Sequence, residues 1–199
     1  QLDFPYLFTI AREGIAKKKL EDTSKDLNPL FDLILEHVPP ANQNTAAVFR
    51  MQPASLDYDN YVGRLAVGRV VEGELTAGAK VYIKANGKPT RTARVTKIFA
   101  YQGIRRVEVK NASAGDIVTL SGIPDINVGE TITTEENAEI LPAIEIDPPT
   151  VSMNFLVNNS PFASKEGKLV TTRHIKTRLE KEKETNVGLV VEEIAGTDS

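Results

Sequence analysis

Arginine and lysine side chains are the most concentrated chemical groups in this sequence, and they gather near its centre. Residues 64–110 contain eleven of them against three glutamates, whereas residues 111–147 contain eight acidic residues and no arginine or lysine. The formal net charge of −3 conceals this separation because the two blocks cancel. A basic block can neutralise the phosphates of a nucleic acid if it folds onto one face, and it is an ordinary solvated surface if nearby acids neutralise it.

Groups suited to catalysis are scarce by comparison. The sequence has no cysteine and two histidines, His37 and His174, which removes thiol chemistry and leaves too few ligands for a typical zinc site. The carboxylate pair Asp57 and Asp59 flanks a predicted turn, where such side chains usually accept local hydrogen bonds. The sequence therefore predicts no catalytic residue and no metal site.

One segment imitates a phosphate-binding loop. Residues 73–80 contain spaced glycines and a lysine, but the lysine comes one residue late, and Val81 occupies the place of the hydroxyl that would bind magnesium. The segment also joins two predicted strands, whereas a phosphate-binding loop joins a strand to a helix. We predict a β-turn at this position.

The basic residues lie in a predicted β-barrel. From Thr45 to about Glu145, short segments of alternating apolar and polar residues are separated by turn residues, at intervals typical of an all-β barrel. The predicted strands cover residues 46–51, 62–71, 79–84, 92–101, 106–109 and 117–120. The predicted fold class is therefore mainly β, with α+β pieces on either side of the barrel.

The piece before the barrel combines a strand and a helix. Residues 4–10 form an apolar run that predicts a short buried strand. Asn28 is the predicted N-cap of a helix with Pro29 in its first turn, and the helix ends before Pro39.

The piece after the barrel predicts a β-α-β arrangement, with strands at residues 150–157 and 187–194 and a charged helix at residues 172–185. Neither flanking piece can enclose a core alone, so we expect both to be parts of larger domains. The predicted division of the chain is 1–40, 41–147 and 148–199.

The composition is that of a globular protein, with 41 % hydrophobic and 26 % charged residues. No apolar run approaches the ~18 residues of a membrane-spanning helix, and the sequence does not open with a signal peptide. We therefore expect a cytoplasmic protein with no membrane partner.

Five short motifs are informative together: DYDNYVGR at residues 57–64, GRV at 68–70, AGDIV at 114–118, INVGET at 126–131 and LVNNSPF at 156–162. They resemble the TypA/BipA family of ribosome-associated translational GTPases, in the elongation factor G-like superfamily. The glycine-punctuated barrel is shared by elongation factors generally, whereas the first motif and residues 158–162 point to TypA/BipA. Elongation factor G and LepA are the close alternatives.

The resemblance implies an origin for each part. Residues 1–40 would be the end of a GTP-binding domain, residues 41–147 the translation-factor barrel called domain II, and residues 148–199 the first half of a ferredoxin-like domain III. The loop at residues 8–14 aligns with the family's guanine-contacting loop, in which Ala11 matches the pattern and Ile10 replaces a serine. The phosphate loop, switch residues and guanine-specifying motif are absent, so this chain alone should neither bind nor hydrolyse GTP. GTP and magnesium are implied for the parent protein.

The resemblance also implies a partner, the ribosome, with contacts to ribosomal RNA and proteins. The parent would act in ribosome biogenesis and in translation under stress, as a monomer that does not bind DNA. A stand-alone RNA-binding barrel and a purely structural spacer are the alternatives. The residues predicted to contact RNA phosphates are Arg64, Arg69, Lys97, Arg105, Arg106, Lys165, Lys168 and Arg173.

Overall fold

The computed structural model of the chain describes residues 4–41, 43–158, 160, 161, 165, 167, 169 and 171–193. The chain divides into two compact units, Gln1–Ala41 and Asn42–Ser199. No helix in these described ranges has the length and apolar character needed to cross a membrane.

The first unit is a small hairpin followed by a helix. Strand β1 (Phe8–Ile10) pairs antiparallel with β2 (Ile15–Lys17) across a 3₁₀ turn, and helix α1 covers Asn28–His37. The prediction of one buried strand is wrong, because β1 is short and exposed and pairs with a second strand, β2, that was not predicted.

The helix predicted in this unit is confirmed, but its N-terminal hydrogen bonds come from a different residue. The Asp26 carboxylate accepts hydrogen bonds from the backbone N–H of Asn28 at 2.9 Å and from its side-chain amide at 2.8 Å. Leu27 is the N-cap residue, so the expectation that Asn28 holds this position is wrong by one residue.

The second unit is dominated by an antiparallel β-barrel, which confirms the mainly β fold class. Eight strands form one sheet in the order β7-β6-β12-β3-β4-β11-β8-β9, and β5 pairs with β10 in a separate ribbon. Their bounds are β3 Arg50–Asp59, β4 Gly63–Glu72, β5 Glu74–Thr76, β6 Lys80–Lys84, β7 Arg91–Arg94, β8 Ile98–Gln102, β9 Arg105–Val109, β10 Asn111–Ser113, β11 Ile117–Leu120 and β12 Thr131–Thr133.

One apolar core fills the barrel. Alternate residues of the strands point into it, as the sequence pattern requires. Its largest fully buried side chains are Phe49, Met51, Leu75, Ile98, Leu120, Ile126 and Ile132.

Several strand predictions differ from the barrel. The strand predicted at residues 46–51 is displaced to β3, and β5, β10 and β12 were not predicted. The long strand predicted at residues 92–101 is split into β7 and β8, because Val95 donates to the Ala79 carbonyl at 3.0 Å and Thr96 donates to the Ser121 carbonyl at 3.0 Å. The chain therefore changes hydrogen-bonding partner between these strands. Part of the segment that imitates a phosphate-binding loop is strand β5, and the predicted β-turn follows it.

The segment after the barrel contains helix α2 (Thr172–Lys183), as predicted. Thr171 caps it, with its hydroxyl oxygen 3.4 Å from the backbone nitrogen of His174. The strands predicted at residues 150–157 and 187–194 are not found in the described residues, 150–157 and 187–193. Alternating apolar residues suit a strand, but a strand also needs a hydrogen-bonded neighbour, and neither segment has one there.

Gly73 is a position where the barrel has no room for a side chain. Its φ is +75°, and an added Cβ would lie 2.4 Å from the Phe49 nitrogen and 2.7 Å from the Ala47 carbonyl oxygen. We expect Gly73→Ala to lower the free energy of unfolding by about 3 kcal/mol or more, since backbone overlap adds to left-handed strain. Gly103→Ala is the matched control, because Gly103 has a φ of +60° and open space. Urea denaturation giving equal losses for both would contradict this account.

Candidate nucleic-acid interface

The predicted RNA contacts fall into two groups according to whether a carboxylate already neutralises them. Arg64 belongs to the neutralised group. Its guanidinium donates to Glu184 at 2.9 and 2.7 Å and to the Ile126 carbonyl at 3.2 Å, and its side chain is only 16 % exposed. Arg64 therefore connects β4 to the end of α2, and little of its charge faces solvent.

Arg106 is also engaged within the barrel. Its guanidinium lies over the Phe99 ring, 5.0 Å from the centroid, and contacts Asp57 at 3.1 Å and Asp59 at 3.5 Å. Two carboxylates and an aromatic face hold it, and the side chain is 29 % exposed. These contacts make Arg106 a link between β9 and β3.

Asp59 has a second task at the turn between β3 and β4. Its carboxylate accepts hydrogen bonds from the backbone N–H groups of Tyr61 at 2.8 Å and Val62 at 3.2 Å. These two bonds, with a smaller contribution from Arg106, hold the pKa of Asp59 below its usual value. The charged form therefore stabilises the turn.

Lys97 is intermediate between the two groups. Its ammonium lies 2.9 Å from the Glu108 carboxylate, but both side chains are about half exposed. Exposed pairs of this kind contribute roughly 0–1 kcal/mol and are screened by salt. Lys97 can therefore exchange its carboxylate for a phosphate at small cost.

Arg69, Arg105 and Arg173 are exposed and have no carboxylate partner within the described ranges. Arg69 lies on β4 between Gln52 and Ile117 in register, and Arg105 begins β9 opposite Gln102. Arg173 is in the first turn of α2. The structure keeps these three guanidinium groups available to solvent.

The remaining predicted residues are dispersed. Lys165 is exposed, and Lys168 lies outside the described residues. Ala11 begins the 3₁₀ turn Ala11–Glu13 in the first unit, where its carbonyl accepts a hydrogen bond from Gly14 at 3.2 Å.

Sequence reasoning missed several cations of the same basic block. Arg91 pairs with the buried Glu130 at 2.6 Å, and the Lys84 ammonium donates to the Glu136 carbonyl at 2.9 Å. Lys80, Arg94 and Lys110, in contrast, are exposed and have no carboxylate partner in the part of the chain that the structure describes. All of these residues belong to the basic block seen in the sequence, but only the contacts made in the folded chain distinguish the paired cations from the unpaired ones.

No group of three or more His, Cys, Asp or Glu residues that could hold a metal ion occurs among the described residues. The arrangement is thus a barrel with cations on its outer surface. Exposed cations of this kind are the groups that attract phosphates electrostatically.

The barrel defines the class of protein. Residues 63–133 match the family model described as Elongation factor Tu domain 2. The barrel is therefore that of a translation factor, as its glycine-punctuated strands had indicated.

Comparison over the whole chain identifies more similar proteins within this class. The whole chain is 42 % identical to the large ribosomal subunit assembly factor BipA of Bacillus subtilis and 43 % identical to that of Escherichia coli K12, and 97 % of it is 42 % identical to that of Synechocystis. The chain is thus similar over its whole length to BipA proteins, which confirms the resemblance to the TypA/BipA family predicted from the five motifs. It covers 32 % of the Bacillus protein and 33 % of the Escherichia coli protein, so it spans about a third of the length of these curated relatives.

Asp59 makes stability depend on pH in a defined direction. Because the folded-state pKa is lowered, the carboxylate contributes stability above its unfolded pKa of about 4 and loses it as pH falls through the folded value. We expect Asp59→Asn to be less stable than the wild type near neutral pH, and the difference to shrink toward zero in acid. Urea denaturation between about pH 3 and 7 measures this. The control is Asp125→Asn, since Asp125 is exposed in a loop; a pH-independent difference for Asp59→Asn would refute the assignment.

The Arg64–Glu184 pair should couple the barrel to α2. A double-mutant cycle with Arg64→Gln, Glu184→Gln and the double variant is expected to give a coupling energy of about 1 kcal/mol, because the pair is only partly exposed. Thermal and urea unfolding measure it. A coupling energy of zero would mean that the two side chains contribute independently.

Proposed function

We propose that this chain is the ribosome-binding part of a translational GTPase that acts in assembly of the large ribosomal subunit. The observation that carries the proposal is similarity over the whole chain to proteins named large ribosomal subunit assembly factor BipA. The translation-factor barrel supports the same role, since residues 63–133 match Elongation factor Tu domain 2.

The chain contributes binding to this activity, and the rest of the longer protein contributes nucleotide chemistry. We expect GTP hydrolysis with magnesium to belong to segments of the parent protein outside this chain, which spans about a third of the length of its relatives. Ala11 and its 3₁₀ turn would contact the guanine through main-chain amides. The protein acts in the cytoplasm as a monomer, in ribosome biogenesis and translation under stress.

Ribosome binding is electrostatic in this proposal. Arg69, Arg105 and Arg173 present exposed guanidinium groups, and Lys97 can release Glu108. Contacts of this kind reach phosphate oxygens and fix position without reading bases. Arg64 and Arg106 assist by holding α2 and β9 against the barrel.

Sedimentation of the 199-residue chain with purified large ribosomal subunits at several salt concentrations tests the proposal. Each phosphate contact that is lost should reduce the slope of log affinity against log salt by about 1, so Arg69→Gln/Arg105→Gln should reduce it by about 2. The matched control is Lys18→Gln/Lys25→Gln, which changes the charge equally in the first unit.

Two results would count against the proposal in different ways. Equal slopes for the wild type and Arg69→Gln/Arg105→Gln would show that these arginines do not contact RNA. Failure of the wild-type chain to sediment with the subunits at any salt concentration would reject ribosome binding, and would favour the role of a spacer between domains.

A further inference from the structure

The cations of the basic block divide into two sets according to their partners. Those that have a carboxylate or carbonyl partner are Arg64, Lys84, Arg91, Lys97 and Arg106. Those that are exposed and have no such partner in the described ranges are Arg69, Lys80, Lys88, Arg94, Arg105 and Lys110. Three of the second group, Lys80, Arg94 and Lys110, lie around one turn, and we call them the basic cluster.

Two members of the basic cluster face each other directly. Lys80 on β6 and Arg94 on β7 are partners in the antiparallel register, so their side chains leave the same face of the sheet. Like charges at opposed positions destabilise a strand pair. The Lys80 ammonium lies over the Tyr82 ring, 4.9 Å from its centroid, which holds the charge at the surface beside Arg94.

Lys110 reaches the same turn from the junction between β9 and β10. Its carbonyl accepts a hydrogen bond from Ala77 at 2.9 Å, and Ala77 is three residues before Lys80. Backbone spacing places the Cα atoms of the three residues within roughly 15 Å of one another. Of the acidic residues on the neighbouring strands, Glu108 pairs with Lys97 and Glu74 accepts a hydrogen bond from Ser113.

The turn itself is open but offers no N–H groups. Gly78 has a φ of +88° and nothing within 4 Å of an added Cβ, so a ligand can approach closely. However, Ala77, Gly78 and Ala79 all donate their backbone N–H groups to carbonyls, at 2.9, 2.7 and 3.1 Å. An anion here must therefore be held by side chains, in contrast to the backbone cradle of a phosphate-binding loop.

We propose that the basic cluster binds consecutive phosphates of an RNA backbone. A span of roughly 10–15 Å matches on the order of three phosphates along one strand. The Tyr82 ring beside the cluster is covered by the Lys80 ammonium, so it is not free to stack on a base, and we expect binding to be indifferent to base sequence.

This inference rests on the proposed function but names other residues. Lys110 follows β9 at the end away from Arg105, about 17 Å along the strand. Of the residues predicted from the sequence, Lys97 lies beside the cluster, since Ile98 and Val109 are register partners. Arg105 and the basic cluster can therefore be tested separately, and Lys97 is left unchanged in both sets of variants.

The test measures binding of the 199-residue chain to short RNA duplexes of two unrelated sequences, by fluorescence anisotropy across a salt series. Lys80→Gln/Arg94→Gln/Lys110→Gln should reduce the salt slope by about 2–3 for both sequences, because three phosphate contacts are removed. Lys18→Gln/Lys19→Gln/Lys25→Gln changes the same number of exposed charges in the first unit and should leave the slope unchanged.

A second variant separates binding from folding. Arg94→Glu replaces the opposed cations with a cross-strand ion pair, so it should raise the Tm while weakening RNA binding. A general structural defect would lower both.

Three results would overturn the inference. One is an unchanged salt slope for the triple variant while the wild type still sediments with ribosomal subunits, which would leave the proposed function intact. Another is loss of ribosome binding with duplex binding retained, which would assign the cluster to an acidic protein surface. The third is a strong preference of the wild type for one duplex sequence that the triple variant abolishes.

Discussion

Strand register around a single apolar core is the constraint on which the surface of this barrel depends. Because Val81 and Ile83 face the core, the residues of β6 that alternate with them must face outward. The β6–β7 register then fixes which residue of β7 lies opposite each of them. Register places Lys80 opposite Arg94 and, on β3 and β4, Arg50 opposite Glu72. A shift of the β6–β7 register by one residue would relieve the repulsion between Lys80 and Arg94, but it would expose the core side chains of β6 to water. The core therefore enforces the unfavourable pair.

Periodicity within the sequence was enough to predict the mainly β class, helices α1 and α2, and most barrel strands, because each depends on local spacing of apolar and turn residues. Events that depend on distant partners were missed. The sequence predicts one strand over residues 92–101, whereas in the structure the Thr96 N–H donates to the Ser121 carbonyl and the strand is interrupted. Residues 150–157 alternate as a strand should, yet lack a neighbouring strand among the described residues.

The candidate site was less predictable than the fold for the same reason. The block of charge was visible in the sequence, but neutralisation depends on contacts between remote residues. Arg64 meets a glutamate 120 positions away, and Arg91 meets one 39 positions away. Arg69 and Arg105, predicted from the sequence as RNA contacts, are exposed in the structure. The grouping of Lys80 and Lys110 around one turn could be seen only from the pairing of the strands.

The segment of residues 150–157, after the barrel, affects how readily one copy of the chain associates with another. Val151, Met153 and Phe155 alternate along it, and Val151 is 81 % exposed. A stretch that presents apolar side chains beside unpaired backbone N–H and C=O groups is a template for pairing with another copy. The segment that precedes it in the sequence is acidic, with eight carboxylates and no lysine or arginine between residues 111 and 147, and seven of the eight are exposed. Like charges on those carboxylates oppose the approach of a second copy, and because salt screens that repulsion, high salt would favour self-association.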